Sequence, residues 1–242
     1  MIESPIYAER HFGDVSVFAT SRSGGISRGQ FSSFNLANHV SDDPACVVQN
    51  RTTLAGLLQA NSLKVLTATH GADVQVVDSQ SQVLPGDGLI TRATSLGLVA
   101  LAADCVAFAL IDPVANVIAV GHAGWQGLLV GLPDALAQAF IQEGGSASQS
   151  HAVLGPAICS NCYEVEAERV AQVATVCPSA VADATHIDVS AGVFAKLTAF
   201  GFAIEQIPGC TMESDQLFSY RRDGLTGRHA LAVVIHQGEN EL

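Results

Sequence analysis

The sequence predicts an α+β fold: a single domain of layered, mixed β-sheets flanked by helices. Three observations carry this expectation. Short apolar and β-branched runs follow one another through the middle of the chain instead of alternating strictly with helices. Longer segments with helical spacing sit before and after that block. Hydrophobic residues make up 48% of the chain against 14% charged, enough to fill a substantial core. No internal repeat, low-complexity tract or long Pro/Ser-rich linker divides the sequence, so residues 1–242 read as one domain.

Val15–Thr20 alternates apolar and small residues like a strand and runs into a loop at 21–25. Residues 42–58 open with an acidic cap and Pro44, then place Val47, Val48, Leu54, Leu57 and Leu58 at helical spacing. Strands follow at 65–69, 74–77, 88–91, 98–103, 107–111 and 117–120, punctuated by His-Gly, Pro-Gly-Asp-Gly and Asp-Pro. Residues 133–143 read as a helix with Pro133 near its start and Gly144-Gly145 as its stop, and Val153-Leu154 as a buried strand ending at Gly155-Pro156. Helices over 163–176 and 189–200 and a strand over 230–235 complete the pattern.

Eleven Lys and Arg against 23 Asp and Glu leave a formal net charge of −12. No general field attracts phosphodiesters or anionic lipid, so neither nucleic acid nor membrane is expected as a partner. An anionic small molecule must instead be held by a few local cations and backbone amides, which points to a pocket. The N-terminus, MIESPIYAERHFGDV, lacks the basic start and apolar core of an export signal, and a cytoplasmic location is expected. The apolar stretch 95–111 contains Asp104 and ends at Asp112-Pro113, which argues against a bilayer span. The six cysteines are accordingly expected as reduced thiols.

Three polar residues lie where strands meet loops or break apolar segments: His70 in T-A-T-H-G-A-D-V, Cys105 in A-A-D-C-V-A and His122 in V-G-H-A-G-W. Two imidazoles and one thiolate suit Zn²⁺, and three protein ligands leave a tetrahedral position open for catalysis. Spacing alone equally allows three separately buried side chains. In G-H-A-G-W-Q-G, Gly124 and its neighbours could bring backbone N–H groups to an anion, or could serve a turn needing positive φ. Arg221 and Arg222 stand side by side in an acidic protein; read as a strand, only one would enter a given site, to grip phosphate or carboxylate, unless both face solvent beside Asp215 and Asp223. Cys159 and Cys162 have C-x-x-C spacing, but no second such pair completes a four-sulfur site, and they are read as structural. His11, His39, His151, His186, His229 and His236 show no ligand pattern.

Across nearly the whole chain these segments resemble the YfiH family, also called the multicopper polyphenol oxidase or laccase-domain family. The resemblance is carried by S-R-S-G-G-I-S-R-G-Q-F-S-S-F-N-L-A-N-H-V-S-D-D-P from Ser21, T-H-G from Thr69, G-D-G-L-I-T from Gly86 and A-D-C from Ala103. V-G-H-A-G-W from Val120, G-P-A-I from Gly155 with Tyr163-Glu164-Val165, and F-S-Y-R-R-D-G-L-T-G-R from Phe218 continue it in order. It implies zinc held by His70, Cys105 and His122. It also implies a monomer that cleaves adenosine, inosine, guanosine and methylthioadenosine with phosphate and deaminates adenosine in the same site. Arg22, Asn35 and Arg222 fall in motifs near that pocket and are carried over as substrate-binding residues; Asp104 beside Cys105 is a candidate orienter or proton carrier. The chain departs from the family pattern at Ala68 for Gln, Ala107 for Pro and Gln126 for Arg, the last removing a candidate phosphate ligand, and Pro133 interrupts a helix continuous in relatives.

The family's older name implies an oxidase. Multicopper oxidases build copper clusters from His-x-His pairs, and none of the eight histidines here forms one. Copper bound to the His70, Cys105 and His122 set would support only weak phenol oxidation. Two other readings remain at this level: Cys105 as a nucleophile with a histidine base, cleaving an amide as in editing of a cell-wall precursor, and a zinc-stabilised binding module.

Overall fold

A computed structural model describes residues 4–238. Two sheets lie face to face with helices outside both. The first sheet has the order β1-β2-β11-β6-β3, from β1 (Ile6–Phe12), β2 (Val15–Thr20), β3 (Ser62–Val65), β6 (Leu96–Ala102) and β11 (His229–Ile235). The second has the order β10-β9-β7-β8-β5-β4, from β4 (Val74–Val76), β5 (Gly88–Thr91), β7 (Val106–Asp112), β8 (Val117–Ala123), β9 (His151–Leu154) and β10 (Ala203–Gln206). Both are mixed: β3 runs parallel to β6, and β4 parallel to β5, within otherwise largely antiparallel ladders.

The two-residue period of each strand divides its side chains between layers. Val15, Val17, Ala19, Leu98 and Ala100 of the first sheet meet Ala107, Ala109, Ile111, Ile118 and Val120 of the second in a seam between the sheets. Phe18, Val99 and Leu101 point outward onto Leu54 and Leu58 at the end of helix α1 (Pro44–Leu57). Phe108, Leu110 and Ala119 face Leu132, Leu136 and Phe140 of α3 (Leu132–Gln142) and Val193 and Leu197 of α5 (Val189–Phe200). Covered on both faces, the central strands read as unbroken apolar runs.

Helix ends follow their capping chemistry. Asp43 accepts the Ala45 N–H at 2.9 Å with Pro44 in the first turn, as expected for α1. Asp188 caps α5 through the Ala191 N–H at 2.9 Å. Pro133 fits the first turn of α3, and Gly131, at φ 81°, separates that helix from α2 (Trp125–Leu129), so the chain breaks before the proline instead of kinking at it.

Several boundaries differ from expectation. The strand expected at 65–69 lies earlier, at Ser62–Val65; beyond it Thr67 makes only an isolated bridge to Pro85. Residues 163–166 are not helical, because Val165 N–H bonds the Thr185 carbonyl and Glu164 bridges His186; α4 begins at Ala167 and runs to Val176. Arg221 and Arg222 lie in a helical turn, α6 (Tyr220–Asp223), not in a strand, so strand alternation does not govern them. Edge strands β1 and β10 and the short α2 carried too little apolar periodicity to be foreseen.

Candidate functional site

The site forms where chain segments cross between the two layers. Cys105 lies in the link from β6 of the first sheet to β7 of the second, His70 in the loop from β3 to β4, and His122 near the end of β8. Potential ligand atoms of His70, Cys105 and His122 all lie within 4.8 Å of one another, so the three converge in space. The two imidazoles are edge-on, with ring centroids 5.0 Å apart. His122 is buried and His70 exposed, so the set opens outward on the His70 side.

A fourth residue, not assigned a role from the sequence, organises the set. Asp87 is fully buried just before β5. Its carboxylate accepts the His70 N–H at 3.0 Å, the Gly71 N–H at 2.8 Å and the Thr69 hydroxyl at 2.6 Å, and meets His122 Nδ1 at 3.2 Å. One carboxylate therefore sets the backbone of one imidazole and the ring of the other. Its acceptor role places the His122 proton on Nδ1 and leaves Nε2 as an electron-pair donor. Burial alone would raise the Asp87 carboxyl; bonds from His122, Thr69 and Gly71 outweigh it and hold it well below the usual carboxylate range. The available signal was an acidic residue between two glycines at a strand start, in the T-H-G and G-D-G segments that the structure brings together.

Burial also pushes the Cys105 thiol up, but His122 and His70 reverse that and lower it. Burial pulls His122 down, and Cys105 and Asp87 together raise it. The pair is thus poised as thiolate and imidazolium when nothing else neutralises the sulfur. As a donor set, two histidines and a low-pKa thiolate with a carboxylate behind one ring fit zinc, with copper chemically admissible.

Asp104 accepts the Thr211 hydroxyl at 2.6 Å, the Ser219 hydroxyl at 2.7 Å and the Arg221 N–H at 2.6 Å. It holds a left-handed backbone at φ 101°, as His70 does at φ 60°; the network around each overrides the steric cost. Gly124 is in the left-handed region of neither turn type: its φ is −86°. Its lack of a side chain instead makes room between Cys105 and His70.

These residues line a cavity of about 650 Å³. Its aromatic faces are Trp125, Tyr163 and Tyr220, and its guanidinium groups are Arg221 and Arg228. Arg228 is held by its N–H on Asn35 Oδ1 at 2.9 Å and by its Nη1 on the Thr226 and Gly227 carbonyls.

Asp104, Cys105, His70, His122 and Gly124 line this cavity; Arg22, Asn35 and Arg222 do not. Arg222 donates to the carbonyls of Thr211, Ser214 and Leu217 at 2.9, 2.8 and 2.8 Å and pairs with Asp223 at 2.9 Å, which makes it an internal brace. Arg22 bonds the Ser32 carbonyl and stacks over Phe218. Asn35 is buried and acts behind Arg228. The arginines at the cavity are Arg221, adjacent in sequence to Arg222, and Arg228, which Asn35 supports; the helical turn at α6 is what exchanges Arg221 for Arg222. His39, which showed no pattern in the sequence, also lines the cavity.

A family model described as multi-copper polyphenol oxidoreductase laccase matches residues 16–236. A purine nucleoside phosphorylase of Streptomyces coelicolor is 41% identical over 230 residues, 91% of this chain and 93% of that protein. An adenosine deaminase from an unidentified prokaryote is 31% identical over 235 residues, 87% of this chain and 90% of that protein. The crystal structure of YlmD from Geobacillus stearothermophilus superposes with a TM-score of 0.85 at 29% identity, covering 93% of each chain. Among the described residues no helix is long and apolar enough to cross a membrane.

Proposed function

We propose, from the premise that this chain belongs to the multi-copper polyphenol oxidoreductase laccase family, that it is a zinc-dependent purine nucleoside enzyme. It would cleave adenosine, inosine, guanosine and methylthioadenosine with phosphate and deaminate adenosine in the same cavity, acting as a cytoplasmic monomer. The carrying observation is the convergence of His70, Cys105 and His122 in a cavity that also presents guanidinium groups and aromatic faces. The names of the relatives support the substrate class.

His70, Cys105 and His122 would hold the metal, and Asp87 would orient His122 behind it. What zinc supplies when bound is Lewis acidity, which acidifies water at neutral pH. Arg221 and Arg228 supply the positive charge that phosphate needs in a protein of net charge −12, and they stand in for the missing arginine at Gln126. Trp125, Tyr163 and Tyr220 offer faces for the purine. In phosphorolysis a phosphate oxygen bonds to ribose C1′ while the C1′–N9 bond breaks and its electron pair leaves with the base. Asp104, fully engaged with Thr211, Ser219 and Arg221, positions Cys105 and Arg221.

The lowered Cys105 thiol beside a raised His122 favours a second reading, amide cleavage with Cys105 as nucleophile. Mass spectrometry of products from adenosine, with and without phosphate, separates the readings. Adenine and ribose 1-phosphate formed only with phosphate supports phosphorolysis, and inosine in either buffer supports deamination. No product from zinc-loaded protein, together with an iodoacetamide-sensitive amidase that survives metal removal, overturns the purine assignment. Phenol oxidation confined to copper-loaded protein would mark the oxidase activity as incidental.

A further inference from the structure

A second group of soft ligands lies beside the cavity. Cys159 and Cys162 flank a tight turn in which the Cys162 and Tyr163 N–H groups both bond the Cys159 carbonyl at 3.0 Å. Cys210 reaches the same place from a separate loop. That loop is tied down by a parallel bridge between Ala157 and Cys210 and by the Thr211 N–H on the Ala157 carbonyl at 3.1 Å. The donor atoms of Cys159, Cys162, Cys210 and Glu213 all lie within 4.8 Å of one another. The partner that the C-x-x-C pair lacks in sequence is thus a cysteine 51 residues further on, counted from Cys159.

We propose that Cys159, Cys162 and Cys210, with Glu213 as a fourth ligand, form a structural zinc site distinct from the His70, Cys105 and His122 set. Three thiolates and a carboxylate make a closed, thiophilic, tetrahedral donor set, which selects zinc over magnesium or calcium. The Cys210 sulfur is built as an acceptor: the Cys159 N–H points at it from 3.4 Å. Such an amide bond stabilises a ligand thiolate as a second-layer partner. The odd number of sulfurs is satisfied as a set by a cation, whereas a disulfide would strand the third.

The site has a task in the fold. Cys162 precedes Tyr163, which lines the cavity, and Cys210 precedes Thr211, whose hydroxyl holds Asp104 at 2.6 Å. A cation joining the two loops fixes that wall from outside.

The test is cobalt titration of reduced, metal-stripped full-length Cys105→Ala protein, in which the first set has lost its sulfur. Sulfur-to-cobalt charge-transfer absorption that saturates at one equivalent and is displaced by zinc is the expected result. Adding Cys162→Ser should abolish that stoichiometric absorption, since two thiolates and a carboxylate no longer hold the ion. Elemental analysis gives a reading independent of the first set: zinc-grown Cys162→Ser protein should hold one equivalent less zinc than the unsubstituted chain, with an unchanged circular dichroism spectrum. The site is overturned if the reduced Cys105→Ala protein shows no charge-transfer band. Equal zinc content in the two proteins, or loss of two thiols per chain to a disulfide without metal uptake, overturns it as well.

Discussion

A methyl group on Gly124 would stand 3.0 Å from Cys105 Sγ and 3.2 Å from His70 Cδ2. The glycine keeps those two side chains together, because any Cβ there would wedge between sulfur and imidazole. Gly124→Ala should therefore lower zinc affinity and turnover at least tenfold while leaving thermal stability nearly unchanged. Gly127→Ala is the matched comparison. Its added carbon meets nothing closer than 3.6 Å, and it should be neutral or stabilising by about 0.4–1 kcal/mol. Competition with a zinc indicator and a melting curve on both variants check the pair; equal losses of affinity would refute the wedge.

Asp87→Asn keeps the shape of the carboxylate and removes its charge. The amide cannot accept from His70, Gly71, Thr69 and His122 together, and its NH₂ faces donors. A 10–100-fold weakening of zinc binding is expected, with a loss of about 1–3 kcal/mol in folding free energy. Zinc titration and urea unfolding measure the two separately.

The two arginines should differ in kind. Arg222→Ala leaves the Thr211, Ser214 and Leu217 carbonyls without their donor and should cost roughly 2–4 kcal/mol of stability. Arg228→Gln, at the cavity, should raise the KM for phosphate by tenfold or more with a change in melting temperature of only a few degrees. Steady-state kinetics with phosphate varied, beside calorimetry, separate a brace from a ligand.

His229 governs an acid response. It is buried on β11 with no well-formed hydrogen bond at either ring nitrogen, and burial, opposed only weakly by Asp104 and the Pro156 carbonyl, brings its pKa down to about 4. The unfolded chain takes up this proton near the ordinary 6.5, whereas the folded chain refuses it until about 4. Its stabilising contribution is complete above pH 6.5 and is lost as pH falls toward 4, a change on the order of 3 kcal/mol. His229→Met should flatten that part of the profile. Urea midpoints measured from pH 7 to pH 4 on both proteins test it, and parallel curves would exclude His229 as the cause.

The core was largely legible because fully covered strands leave unbroken apolar runs, and the expected Val15–Thr20, Gly88–Thr91 and Val189–Phe200 spans match the observed elements. Edge strands such as Ala203–Gln206 keep only part of their surface dry and leave a faint pattern. At the site, His70, Cys105 and His122 were visible as polar interruptions of apolar sequence. Asp87 was not, since a carboxylate that serves backbone amides has no spacing rule. Arg222 and Arg221 could not be told apart without knowing that a helical turn carries them, and the third cysteine of the second cluster depends on a contact between distant loops.

The seam between the sheets is rich in alanine, with Ala19, Ala100, Ala107 and Ala109 among its members. The His70, Cys105 and His122 set proposed to hold metal lies at the edge of that seam, with Cys105 on the very link that passes from one sheet to the other. Layer thickness and ligand spacing are then one mechanical variable. A methyl or two added deep in the seam acts as a shim, splaying the donor atoms while the protein stays folded. Catalytic tuning can thus arise from substitutions in the dry interior, where no substrate is ever touched.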